Sequence, residues 1–276
     1  MTRSTNPTAG CNSYSPSKRY PLIDTHCHLN DLAFSTTLPE VIGRAKAAGV
    51  CAFIVPAYDM GSLERTAILA ERYPDFVFPA YGLHPWFINE PLDFPILHSY
   101  ISLNNTVAVG EIGLDFSPEC PPADIQAPVL IRQLDMAAAL GFPVLIHCRK
   151  AYDQLYEILK PYKGKLRGVL HSYSGGKEGM ARFIDLDFYI SFSGSVTRRN
   201  ARKYHKTAGA VPPDRIILET DAPFIATEST VASKVEPCHV LDVAQKIAEI
   251  RGLTLSEVCR VSTGNALRLF DRIPAL

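Results

Sequence analysis

What most constrains this chain is an alternation that begins near residue 20 and persists to residue 220: short apolar runs rich in Val, Ile and Phe, each followed by a longer segment of helical period. Eight such runs stand out, at 21–26, 51–57, 76–83, 106–112, 143–148, 167–172, 187–193 and 215–220. Between them the spacing predicts helices over 39–48, 63–73, 128–140, 152–159, 178–186 and 200–208, the first and third of which run into Gly49 and Gly141, as helix C-termini often do. Parallel strands need a crossover segment, so repeated βα units define an α/β fold on a parallel sheet. Eight of them in roughly 250 residues match a (β/α)8 TIM barrel, whereas a doubly wound open sheet usually stops nearer six strands. Segments 237–251 and 255–270 read as terminal helices that complete the outer ring.

The barrel takes up residues 20–276 as a single domain, with no linker or repeat to divide it. Residues 1–19, rich in Ser, Thr, Asn and Pro, read as a mobile N-terminal tail and lack the apolar stretch of a signal peptide. No apolar run approaches the ~18 residues of a membrane span, so no membrane partner is expected. Seven scattered cysteines without a CxxC pair read as reduced thiols, which points to the cytoplasm. Lys+Arg and Asp+Glu are equal at 28 each, so any anion site must be local. A monomer is expected.

The informative fact is where ionisable residues fall on this frame. His26 and His28 close the first run, Glu111 the fourth, His147 the fifth and His171 the sixth, and Asp221 directly follows the eighth. In a barrel of this kind catalytic groups sit at the C-terminal ends of the strands, so six side chains far apart in sequence would converge on one mouth. Alternate residues of a strand share a face, so His26 and His28 would point inward together, while Cys27 and Cys148 face the helix layer as packing residues. Four imidazoles and two carboxylates without a metal would leave buried polar groups competing for partners. They also exceed what one four-coordinate ion uses.

Two divalent ions fit better: one with His26, His28 and Asp221, the other with His147 and His171, and Glu111 bridging both. Such a pair lowers the pKa of a water towards ~7 and clamps attacking and leaving oxygens. Two dications less two carboxylates leave net positive charge, which suits a phosphodiester better than a neutral amide. Mixed His/carboxylate sites accept Zn, Mg, Mn, Co or Ni, so the metals are unnamed.

Five stretches in order, Ile23-Asp24-Thr25-His26-Cys27-His28, Gly110-Glu111-Ile112-Gly113-Leu114-Asp115, Pro143-Val144-Leu145-Ile146-His147-Cys148-Arg149, His171-Ser172-Tyr173-Ser174-Gly175 and Leu218-Glu219-Thr220-Asp221-Ala222-Pro223, resemble the TatD family of metal-dependent hydrolases. The resemblance covers about 20–272 and includes Ser262-Thr263-Gly264-Asn265-Ala266-Leu267-Arg268-Leu269-Phe270. It implies an amidohydrolase-like (β/α)8 barrel, nuclease activity on DNA including 3′→5′ exonuclease action, and the same six metal ligands. It also implies Glu111 as the bridging acid, where many amidohydrolases carry a carboxylated lysine.

Catalytic roles are expected for Glu111 and for Asp221, the latter as acceptor of the water's proton. His84, in Tyr81-Gly82-Leu83-His84-Pro85, and Arg149 are expected to hold a phosphate. Asp115 and Glu219 are candidates to orient ligand histidines, and Asp24 to orient His26 and His28. The chain departs from the family at Asn30, where Asp is common, at Val235, where Asn is common, and in a shorter loop over 116–123. These bear on substrate preference.

Arg198, Arg199, Arg202, Lys203 and Lys206 would share one face if a helix starts at Thr197, guiding a nucleic-acid backbone into the site. The leading expectation is thus a deoxyribonuclease acting on DNA or another phosphodiester. The alternatives are hydrolysis of a carboxylic ester or amide, as in aminoacyl-tRNA deacylation, and a metal-stabilised binding protein.

Overall fold

A computed structural model of the chain describes residues 21–89 and 91–274; the tail expected over 1–19 lies outside the described residues. Eight strands form, β1 Leu22–Asp24, β2 Val50–Pro56, β3 Val77–Tyr81, β4 Ala108–Asp115, β5 Val144–Arg149, β6 Gly168–Leu170, β7 Phe188–Phe192 and β8 Ile216–Leu218, all parallel and paired in sequence order. The helices are α1 Leu38–Ala47, α2 Met60–Arg72, α3 Phe94–Ile101, α4 Ala123–Leu140, α5 Tyr152–Leu159, α6 Lys177–Ile184, α7 Arg202–Ala210, α8 Val240–Arg251 and α9 Leu255–Leu269. The expected (β/α)8 barrel is therefore what folds.

Closure between β8 and β1 is made by specific bonds. Thr25 donates its N–H to the Leu218 carbonyl at 3.2 Å, Asp221 to the His26 carbonyl at 2.8 Å and His28 to the Ala222 carbonyl at 2.8 Å. These bonds bring the segment carrying Asp221 against the one carrying His26 and His28.

Two apolar layers follow from strand alternation. Inward residues such as Ile23, Ile54, Phe78, Leu145, Val169 and Ile217 fill the barrel, while outward ones, Cys27 and Cys148 among them, pack under the helices. The last helix departs from expectation. Its start packs in the outer layer through Val258 and Cys259, but Leu269 and Phe270 join the interior cluster. Asn265 bonds the Ile216 carbonyl at 2.7 Å and the Thr263 hydroxyl bonds the Pro21 carbonyl at 2.8 Å, so α9 seals the N-terminal end of the barrel. That leaves the opposite end for chemistry.

Two other expectations are corrected. Pro128 does not begin a helix but lies inside α4, which starts at Ala123 with Pro122 as N-cap. No helix starts at Thr197 either: its hydroxyl closes a 3-10 turn over Gly194–Thr197 by donating to the Gly194 carbonyl at 2.7 Å and accepts the Glu228 N–H, after which Arg198 is extended. Arg198 and Arg199 therefore do not share a helical face with Arg202, Lys203 and Lys206, which belong to α7.

Candidate metal centre

Each predicted ligand is delivered to the mouth by a distinct local device. His26 and His28 follow β1 directly, and Glu111 sits midway along β4, not at its end as expected, because that strand runs on to Asp115. Gly113 has φ of 156° and presses β4 onto β5: a side chain there would overlap the His147 carbonyl. Lys150 and Ser172, each just beyond a predicted site residue, and Asp221, itself one, hold left-handed φ values of 58°, 43° and 56°. Such conformations cost non-glycine residues energy and cluster at functional sites.

The geometry divides Glu111 between two groups. Its Oε2 lies 3.2 Å from His26 Nε2 and 3.5 Å from His28 Nε2, and those two nitrogens are 3.2 Å apart. Asp221 Oδ1 stands 3.3 Å from His28 Nε2 and 3.7 Å from His26 Nε2. Glu111 Oε1 lies 2.9 Å from His171 Nε2 and 3.2 Å from His147 Nδ1, which are themselves 3.2 Å apart. Ligand atoms ~2.1 Å from a tetrahedral ion stand ~3.4 Å from one another, so both groups have roughly the spacing of coordination edges. Neighbouring Nε2 atoms facing carboxylate oxygens at such distances, with too few protons between them, are the donor set of a cation. The groups therefore fit divalent metal ions, and His26, His28 and Glu111 together can hold one.

Electrostatics follows from the same crowding. Burial pushes the Glu111 carboxyl up, but its electrostatic interactions with His171, His84 and His26 and the bond from His147 outweigh it and hold it well below its usual range. Asp221 is likewise raised by burial and lowered on balance by the bond from His28 and by the pull of His26 and His171. Burial lowers His26, aided by His171 beside it, with ring centroids 4.0 Å apart and stacked.

Further carboxylates stand behind the candidate ligands. Asp115 Oδ2 lies 3.0 Å from His147 Nε2, and the carboxyl is held down, against burial, by bonds from His147, Ser117 and Trp86. Glu219 Oε1 is 3.4 Å from His171 Nδ1, a close approach without a hydrogen bond, and accepts the N–H of Ser172 at 2.6 Å, so it positions His171 chiefly through the backbone beside it. Asp24 behaves differently from expectation, because it accepts the backbone N–H of His26 at 3.3 Å and leaves the ring Nδ1 atoms of His26 and His28 without partners. It orients the chain, not the imidazoles.

His84 and Arg149 also reach the mouth. His84 Nδ1 accepts the Trp86 backbone N–H at 3.1 Å, which places the ring proton on Nε2, 3.5 Å from Glu111 Oε1. Burial pushes this imidazole down to about 3, so His84 is neutral, and with Nδ1 taken by the Trp86 N–H and the proton on Nε2 it is set as a donor, although it is near enough to Glu111 and His147 to share a metal with them. Arg149 is exposed and, among the described residues, pairs with no carboxylate. Two residues escaped the sequence reading: Trp86, whose indole N–H donates to Asp115 Oδ2 at 2.8 Å, and Tyr58, whose ring meets that of His28 at 5.4 Å. The one available signal was a lone Trp two places after His84. Asn30 spends its amide on packing, donating to the Pro56 carbonyl at 3.0 Å and the Thr66 hydroxyl at 2.6 Å, a bond to a carbonyl that Asp could not make.

An eight-stranded α/β barrel with histidines and carboxylates gathered at the C-terminal mouth defines the class of metal-dependent barrel hydrolases. Within that class, the family model for TatD related DNase matches residues 23–271, and the chain belongs to that family. It is 35% identical over 252 residues to the uncharacterized metal-dependent hydrolase YabD of Bacillus subtilis, covering 90% of this chain and 98% of the relative. It is 30% identical to the 3'-5' ssDNA/RNA exonuclease TatD of Edwardsiella piscicida, over 90% of this chain and 99% of the relative. The crystal structure of YjjV, a TatD homolog from Escherichia coli, superposes with a TM-score of 0.84 at 30% identity, covering 91% of this chain and 98% of that one. The chain is thus a hydrolase. Among the described residues no helix is long and apolar enough to cross a membrane.

Proposed function

We propose that the chain is a two-metal phosphodiesterase that degrades DNA, as a 3′→5′ exonuclease. One ion would be held by His26, His28, Asp221 and Glu111 Oε2, the other by His147, His171 and Glu111 Oε1. The observation that carries this is the division of the Glu111 carboxylate, with 3.2 Å from Oε2 to His26 and 2.9 Å from Oε1 to His171. When bound, such ions supply an acidified water and neutralise the charge that develops on the phosphoryl oxygens.

The chain's own groups do the rest. Asp221 turns Oδ1 to the histidines, which leaves Oδ2 to take the proton of the attacking water. His84 donates from Nε2, and Arg149 offers an unpaired guanidinium for a non-bridging phosphate oxygen. Asp115 and Glu219 hold His147 and His171 in register. The names of the family and of the Edwardsiella relative, DNase and exonuclease, support phosphodiester cleavage over carboxylic esters.

The test is to load the purified chain with Zn, Mn, Mg, Co or Ni in turn and offer single-stranded DNA, duplex DNA, RNA and aminoacyl-tRNA, each labelled at one end. Stepwise shortening of DNA from the 3′ end with two ions per chain is the expected result. Release of amino acid with intact oligonucleotides would replace the reading with an ester hydrolase.

A further inference from the structure

The mouth has two chemically different halves. Over the ends of β8, β1, β2 and β3 runs an unbroken arc of rings: Phe224 meets His28 at 5.2 Å, His28 meets Tyr58 at 5.4 Å, and Tyr58 meets Phe87 at 5.4 Å. Phe87 meets His84 at 6.1 Å, and His84 meets Trp86 at 5.8 Å. After β5 and β7 stand Arg149, Lys150, Arg198 and Arg199, all exposed, of which Arg199 lies 3.4 Å from Glu228 while the guanidinium groups of Arg149 and Arg198 have no carboxylate partner among the described residues.

The two ends of the arc are open to solvent, Trp86 at 48% and Phe224 at 53% exposure. Trp86 is nevertheless fixed: its backbone N–H is held by His84 at 3.1 Å and its indole N–H by Asp115 at 2.8 Å. With both donors engaged, what it exposes is apolar ring surface. A rigid apolar face beside the site rewards a ligand that covers it, because apolar surface removed from water is favourable and the ring is already held in place. The covering ligand must bring a flat π surface to one half of the mouth and a negative charge to the other. A nucleotide whose base is unpaired does both, while in a duplex the base faces are already covered by their neighbours.

Resting on the phosphodiesterase reading above, we infer that the ring arc whose exposed ends are Trp86 and Phe224 is a stacking surface for unpaired nucleobases on either side of the scissile phosphate, with the backbone running toward Arg149 and Arg198. Every base has a π face, so stacking on this surface is tolerant of sequence.

Trp86 is the chain's single tryptophan, so its fluorescence reports this surface directly. The experiment titrates the metal-loaded full chain with a hydrolysis-resistant phosphorothioate tetrathymidylate, and with a strand of the same length and charge in which every base is replaced by an abasic tetrahydrofuran. Saturable quenching by the thymidylate is expected, with the abasic strand binding about tenfold more weakly and without quenching. Phe224→Ala, an exposed change, should weaken the thymidylate by about tenfold and leave the abasic strand unaffected. In hydrolysis of ordinary single strands, Trp86→Ala should raise KM by about tenfold, whereas Trp86→Phe keeps a ring and lowers mainly kcat through Asp115. Equal affinity for the two strands, or an unchanged midpoint in Phe224→Ala, overturns the stacking surface even where DNA is cleaved. Absence of cleavage of every phosphodiester overturns the underlying reading instead, whatever the quenching.

Discussion

Asp24 and Thr220, 196 residues apart in sequence, meet across the seam of the barrel: the Thr220 hydroxyl donates to Asp24 Oδ2 at 2.6 Å and the Thr220 N–H to Oδ1 at 3.0 Å. Oδ1 also accepts the His26 N–H, so one carboxyl ties the strand carrying His26 to the residue before Asp221. Full burial pushes Asp24 up to about 8, in spite of the bonds from the Thr220 hydroxyl, the Thr220 N–H and the His26 N–H. Thr220→Val keeps the shape and removes one donor from a group that has no water to replace it. The expected loss is about 1–3 kcal/mol in urea unfolding, with lower activity because both His26 and Asp221 shift. An unchanged midpoint would mean that the seam does not depend on this bond.

Glu111→Gln tests the bridge. The amide keeps one acceptor oxygen and loses the charge that two ions would share. Metal analysis should show fewer than two ions per chain, and DNA hydrolysis should fall by about a thousandfold, the rate worth of several kcal/mol of charge stabilisation. Two tightly held ions in this variant would assign the bridging role elsewhere.

Asp115→Asn tests positioning without touching a ligand. Asp115 holds His147 Nε2 at 3.0 Å, which turns Nδ1 toward Glu111. An amide in its place lets the imidazole rotate or change tautomer, and affinity for the ion beside His171 should fall about 10–100-fold while the fold stays intact by circular dichroism. Equal metal affinity in the variant and the parent would reduce Asp115 to a partner of Trp86.

The barrel and most of the centre were legible because both rest on period. A strand ending in two histidines one apart presents them on one face whatever surrounds it, and eight apolar runs separated by helical segments admit few folds. What depended on contact across the sequence was hidden. The arginines after β7 share a run of charge, yet Thr197 closes a turn through Gly194 and Glu228, and the expected helix waits until Arg202. Asp24 has the parity of a residue facing His26, but Thr220 and the seam claim its oxygens. Trp86 has no period at all, and its role is visible only once Asp115 lies 2.8 Å from its indole.

Metal removal and pH should act together. Burial pushes His147 and His171 down, but Asp115 and Glu111 raise the first above its usual value, and Glu111 with Glu219 raises the second well above it. A folded-state pKa above the unfolded one stabilises fully below roughly 6.5 and loses that contribution as pH climbs through the raised value. Glu111 and Asp221 are lowered, so their contribution is present above roughly 4–4.5 and lost as acid protonates them. The chelated protein should therefore lose Tm as pH rises past neutrality, while added zinc, which competes with the same protons, restores more Tm at high pH than at low. Calorimetric scans with chelator and with metal check this; a chelated Tm that rises steadily with pH contradicts it.

The cationic half of the mouth makes a prediction in which the folded chain separates residues that sequence alone grouped. Arg199 is engaged by Glu228 through its side chain at 3.4 Å and its backbone N–H at 3.3 Å, whereas Arg149 and Arg198 have no such partner among the described residues. Each phosphate neutralised by a free guanidinium releases counterions, so its removal should flatten the plot of log affinity against log salt by about 0.7 for a single strand. Arg149→Ala and Arg198→Ala should each do so, with weaker binding at every sequence tested. Arg199→Ala should change the slope least, because a carboxylate already occupies that guanidinium. Fluorescence anisotropy of a labelled, hydrolysis-resistant strand between low and moderate salt gives the three slopes. If Arg199 carries the largest change, the backbone path runs past Glu228 and away from the aromatic rim.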